Sequence, residues 1–340
     1  MIAGIQRRLK VGRGSAGAVS VAVALGMTGC GPASGGSVGE PATPAPLHAS
    51  PAGTVLAIGQ KPEGITVDPA TGLVAVATRS PDAIVILDQR GTVIHRTSVT
   101  SSARHLRATP AGGILLIPAE RAQRLIGLRL PDGDVALDLA VGRQPHDVVS
   151  AGRRIFVTNE FSDSVSVIEG ARVTATVPAP RQPGGIAADG SVVAVIGVRA
   201  HILQTFDAES LQPLATVAAG RGPTHIVGGG GRFYVADTIG NAILVYSGGA
   251  SLSLVARISA IGTPYGIALD STRGRLWVTL TGRNVIEEYQ LTDGGLTAIA
   301  EFPTPRSPNS VAVDIATGTV YVTGTADGVV QILNPRTVRG

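Results

Sequence analysis

The feature that most narrows what this 340-residue chain can fold into is a unit of about 40 residues that recurs seven times. Seven segments superpose on the anchors Pro62, Ala103, Pro145, Pro183, Pro223, Pro264 and Pro308, spaced by 41, 42, 38, 40, 41 and 44 residues. Each anchor leads into a short β-rich run, such as 64–68 or 266–270, and then often into a turn of the form Asp-x-x-Thr-Gly, as in Asp68 to Gly72 and Asp314 to Gly318. The Asp side chain can bond its own backbone there, and Gly accepts a positive φ. Second and third strands follow as a hairpin, clearest in Ile155 to Glu169, where Asn159 to Asp163 reads as the turn. A more polar fourth strand ends six of the repeats, as at 93–99 and 173–177. Several short strands per 40-residue period predict an all-β fold, a seven-bladed β-propeller over residues 54–340. The seventh repeat lacks a fourth strand, and Thr54 to Ile58 lacks a partner. Pairing the two completes the last blade, closes the ring and removes its exposed sheet edges.

The residues ahead of the ring read as an export signal and a tether. Arg7, Arg8, Lys10 and Arg13 precede an apolar stretch from Ala16 to Met27 that is too short to span a membrane. Small residues, Thr28 and Gly29, then precede Cys30, the one cysteine of the chain. Met27-Thr28-Gly29-Cys30 resembles the lipobox of bacterial lipoproteins, with Met27 where Leu is usual. The resemblance implies that residues 1–29 are removed and that Cys30 carries lipid (palmitate among its acyl groups), anchoring the chain on the outer face of a bacterial membrane. A lone thiol in an oxidising compartment has no disulfide partner, so lipidation gives Cys30 a use. Arg7-Arg8 also faintly resembles a twin-arginine export signal. Residues 30–53, rich in Gly, Pro, Ser and Ala, are expected to be a disordered tether. Of the 28 basic side chains, four lie within residues 1–29, leaving 24 against 24 acidic ones. A mature domain near neutrality lacks the basic footprint of a nucleic-acid binder.

Phe156-Val157-Thr158-Asn159, Tyr234-Val235-Ala236-Asp237, Trp277-Val278-Thr279 and Tyr321-Val322-Thr323-Gly324 resemble the signature of the YVTN-type β-propeller repeat family. The lead-ins ending at Pro145, Pro223 and Pro264 fit the same consensus, and the resemblance covers residues 54–334. It implies an exported binding or surface protein of the cell envelope. Repeat two departs from it, with Ala103 as anchor and Pro118, Glu120 and Arg121 in place of the signature.

In a propeller the first strands line a central channel, so one repeat position forms a ring of side chains. The position after the anchor holds Glu63, Arg104, His146, Gly184, Thr224, Tyr265 and Asn309, and the next holds Gly64, His105, Asp147, Gly185, His225, Gly266 and Ser310. Glu63, Arg104, His146, Tyr265 and Asn309 could form a polar ligand pocket or a merely solvated rim. His105, Asp147 and His225 offer imidazole and carboxylate donors suited to a divalent metal, provided the channel is narrow enough for them to converge. No Gly-x-Ser-x-Gly motif occurs, and Gly228 to Gly231 lacks the lysine and helix of a phosphate loop. Trp277 and Tyr321 read as core, and Arg199 and His201 as a loop. The expected function is a non-catalytic envelope module that binds a small polar ligand or another envelope protein. The alternative is a hydrolase or lyase, lactonase-like or streptogramin-lyase-like by fold analogy, using His105, His146, His225, Glu63 and Arg104.

Overall fold

A computed structural model describes residues 37–249 and 251–338. Cys30 and residues 1–29, read above as an export signal, lie outside the described residues. The chain forms seven four-stranded antiparallel sheets, each a meander in sequence order except the last. Blade three, for example, runs through Pro145–Ala151, Arg154–Asn159, Ser164–Glu169 and Arg172–Pro178 from the channel outward. The final sheet takes its outer strand from the front of the chain: Thr54–Ala57 pairs antiparallel with Val329–Leu333, Thr54 opposite Ile332 and Ala57 opposite Val329. The seven-bladed β-propeller and its closure are as the repeat predicts. No described helix is long and apolar enough to cross a membrane.

The strands differ in pattern because they differ in surroundings. Second strands such as Val74–Thr78 and Val192–Gly197 are buried along their whole length, each face packed on a neighbouring blade, and read as continuous small apolar runs. Outer strands such as Val93–Ser98 and Leu254–Ser259 are half exposed and alternate. The described buried apolar side chains fall into seven clusters, one between each pair of adjacent blades; Ala75, Ile84 and Ile86 meet Leu115, Ile117 and Leu128 between blades one and two. Trp277 and Tyr321 are core, as expected. The turn chemistry also follows the sequence: Asp68 accepts from Thr71 Oγ1 at 2.7 Å, and Gly72 sits at φ 70°. The second Asp68 oxygen accepts from Gly113 N at 2.7 Å, tying blade one to blade two.

Two local expectations need correction. Asn159 opens the turn, its carbonyl accepting from Ser162 N at 3.1 Å, but its side chain does not serve it: the residue ends the second strand, buried, and donates through Nδ2 to Ser164 Oγ and Ser166 Oγ. Asp163, at φ 47°, is the left-handed residue of that turn. Residues 37–53 carry little regular structure yet lie against the propeller rather than free of it. Ala42 N donates to Thr281 Oγ1, Asn284 Nδ2 donates to Ala45 O, and Gly39 is so close to Thr224 that a Cβ would meet its methyl at 2.7 Å. Arg199 and His201 lie in the turn between Val192–Gly197 and Ile202–Asp207, as expected of a loop, Arg199 bonded to Gln182 Oε1 and His201 to Ser37 O.

Candidate functional site

In four blades the two channel rings lie on a β-bulge. In blades three to six the register shifts between the anchor proline and the third residue after it, at Pro145/Val148, Pro183/Ile186, Pro223/Ile226 and Pro264/Ile267. Two inner-strand residues there oppose one residue of the second strand. The signature threonine meets the amide that the bulge frees. Thr158 Oγ1 accepts from Asp147 N at 3.0 Å and donates to Gly184 O of the next blade at 2.7 Å. Thr279 and Thr323 accept from Gly266 N and Ser310 N in the same way.

Three histidines meet at this mouth. His105 of blade two, His146 of blade three and His225 of blade five place ligand nitrogens within 4.8 Å of one another. The ring centroids of His105 lie 5.0 Å from those of His146 and 4.6 Å from those of His225. Glycine makes the convergence possible. At Gly185 a Cβ would press on Thr224 O at 3.0 Å and Ile226 at 3.1 Å, and at Gly266 on Asn309 O at 2.8 Å, so these positions have no room for side chains. His146, not Asp147, completes the group. The Asp147 carboxylate turns into the barrel wall, accepting from Val148 N at 2.8 Å and Ile186 N at 3.3 Å and facing Arg107 at 3.5 Å.

Each imidazole has a defined setting. His225 Nδ1 donates to Tyr265 O at 2.7 Å, and its ring stands edge-on to Tyr265 at 4.3 Å. His146 Nδ1 faces Glu160 Oε2 at 3.4 Å, a charge contact rather than an aligned hydrogen bond. His105 Nε2 is buried without a partner, although part of the ring is open. Burial, and then the neighbouring imidazoles and arginines, hold His105 well below the usual histidine range. Burial pushes His225 down to about 3, outweighing its bond to the Tyr265 carbonyl. Burial opposes the charge on His146 too, but Glu160 prevails and raises it. Glu160 itself is held at about 2, its burial outweighed by His146 and by Gln182, whose Nε2 donates at 2.7 Å. The surroundings therefore favour the charged form of His146 beside Glu160 and the neutral forms of His105 and His225.

The rest of the rim is an ion-pair chain. Arg79 bridges Glu63 at 3.1 Å and buried Glu120 at 3.4 Å, and Glu120 accepts from Arg104 N at 3.1 Å and Gln144 Nε2 at 3.2 Å. Although burial opposes it, Glu120 and Glu63 raise the Arg104 pKa above the usual arginine value. Tyr265 is buried and its hydroxyl pushed upward by that burial. Asn309 is also buried, with Oδ1 unpartnered. Glu120 and Glu160 were not among the expected site residues, yet they occupy one repeat position, directly after the second strand, which holds Arg79, Glu120, Glu160, Val198, Thr238, Thr281 and Thr325. That third ring is the signal that finds them. Gln144 and Gln182 precede their anchor prolines at φ 53° and 55°, a left-handed conformation, with side chains on Glu120 and Glu160.

A cavity of about 20 Å³ lies beside the imidazoles, lined by Arg104, His105, Asp147 and His225 among others. Ile65, Arg107, Ile226 and Val311 also border a second space of about 480 Å³ lined by Ile186, Leu269 and Gly228–Gly230.

No protein-family model matches the chain, and no curated protein does. Solved structures share its fold at low identity. Hydrazine synthase of Kuenenia stuttgartiensis is 14% identical over 85% of this chain and 99% of its own, at a TM-score of 0.71. A streptogramin B lyase is 16% identical over 83% and 97%, at 0.69. The virginiamycin B lyase of Staphylococcus aureus is 15% identical over 83% and 99%, at 0.68. Such identities establish a shared propeller.

Proposed function

We propose that the chain is an exported, lipid-anchored YVTN-type propeller whose histidine-lined channel mouth binds a small polar ligand at the cell envelope. One observation carries the ligand site: three imidazoles gathered from three blades, with the buried Nε2 of His105 lacking a hydrogen-bond partner. A buried polar atom without a partner costs about 1–3 kcal/mol. A propeller that needed only a closed channel could fill these positions with glycine, as blade four does at Gly184 and Gly185. The test is native mass spectrometry of the full chain isolated in mild detergent from the envelope of its own cell. A bound small molecule that disappears in His146→Ala/His225→Ala supports the reading; a ligand-free wild type overturns it. The anchor is tested by Cys30→Ser, which moves the protein from the membrane to the soluble fraction if Cys30 carries lipid.

A second reading has its own support. Glu160 favours the charged form of His146 while burial favours the neutral forms of His105 and His225, and environments that push titratable groups apart can create an acid and a base at one pH. That arrangement favours a lyase or hydrolase, and a virginiamycin B lyase has been solved with quinupristin. Conversion of quinupristin by the wild type and not by His146→Ala would support it. No conversion removes quinupristin from consideration as a substrate.

A further inference from the structure

We infer that His105, His146 and His225 form a three-imidazole site for a divalent first-row transition metal, zinc foremost, with a fourth position open to water or ligand. The inference deepens the ligand reading and rests on it in one respect: the open position is where that ligand would bind.

The donor set comes first. Three neutral-capable imidazoles with ligand nitrogens within 4.8 Å need to draw in by about 1 Å to reach the 2.0–2.1 Å bond of a tetrahedral zinc. The second requirement is orientation. Metal-bound histidine almost always gives its other ring nitrogen to a carbonyl or carboxylate; one of the three already does so, and a second faces a carboxylate. His225 Nδ1 donates to Tyr265 O at 2.7 Å, leaving Nε2 for a metal, and His146 Nδ1 faces Glu160, leaving its Nε2. His105 contributes a buried Nε2 with no partner, an atom that a metal would satisfy.

Space for one small ligand lies beside two of the donors. The cavity of about 20 Å³ against His105 and His225, which His146 does not border, matches a single water, since one water needs roughly 10–15 Å³. In the ion pairs around the imidazoles, Glu63, Glu120, Glu160 and Asp147 face Arg79, Arg104, Arg107 and His146. Three protein ligands with one open position is the pattern of reactive rather than purely structural zinc.

The test is titration of the full chain, in detergent and stripped with a chelator, with Co²⁺ as a coloured substitute for Zn²⁺. The expected result is one equivalent bound with the intense visible absorption of four-coordinate cobalt, displaced by Zn²⁺. His105→Ala, His146→Ala and His225→Ala each weaken binding by more than about 100-fold, Glu160→Gln weakens it by roughly 10–100-fold, and His201→Ala leaves it unchanged. Thermal melts of the stripped variants show whether each remains folded. A folded wild type that takes up no stoichiometric Co²⁺, or a His105→Ala variant that binds it equally well, overturns the metal site. If that same wild type still carries its co-purified small molecule, the metal alone falls and the ligand site stands.

Discussion

Thr158 shows how one hydroxyl serves both fold and site. It accepts the amide of Asp147, next to His146, and donates to the carbonyl of Gly184, so it joins two blades at the level of the imidazoles. Thr158→Val leaves a buried amide and a buried carbonyl unpaired and is expected to cost about 1–3 kcal/mol in urea unfolding, with Thr158→Ser losing much less. His225 sets a pH dependence. Its pKa falls on folding from 6.5 to about 3, so the unfolded chain binds the extra proton and stability declines as pH falls from about 6.5 toward 3. His105 acts in the same direction. His146, raised in the fold, acts oppositely: its contribution is present below its unfolded value and fades as pH rises through the folded one. In chelator-treated protein, His225→Gln should therefore flatten the acid limb of the stability curve; an unchanged limb would mean that His225 is not buried neutral. Both channel rings were legible in the sequence because the repeat fixes the two positions after each anchor. Glu120 and Glu160 were not, because the residue after a second strand reads locally as a turn, and only its alignment across repeats reveals a ring.

At the scale of the element, the strand Thr54–Ala57 decides whether the sheet ends or closes. Without it, Val329–Leu333 presents an unpaired edge, a template for another chain. A chain beginning at Gly59 also loses Ile58, which is 3% exposed and whose burial is worth about 2 kcal/mol. At roughly 2–4 °C per kcal/mol, its melting temperature is expected to fall by at least about 5 °C relative to a chain beginning at Gly53, with soluble oligomers appearing in size-exclusion chromatography. Equal melting of the two chains would contradict the closure. The strand was legible from simple counting, since the seventh repeat was one strand short. The course of residues 37–46 was not: their Gly, Pro and Ser composition signals no core of their own, and their contacts, such as Gly39 on Thr224 and Ala42 on Thr281, are with a surface that only the assembled ring provides.

For the whole molecule, seven similar blades enclose a channel whose mouth is chemically uneven. Blades one to three supply Glu63, Arg79, Arg104, Glu120, His146 and Glu160, while the threonines and glycines of blades four to six leave space and receive residues 37–46. Repetition gives the scaffold, and the departures from repetition give the site: His105 and His225 stand where blades one, four and six have glycine. The central claim is that these departures converge on one metal-holding point. Anomalous diffraction at the zinc edge, from crystals of zinc-loaded protein, tests it most directly. The account predicts a single strong peak about 2.0–2.1 Å from a nitrogen of each of His105, His146 and His225; a map with no peak among these three rings, or with zinc held elsewhere, would contradict it.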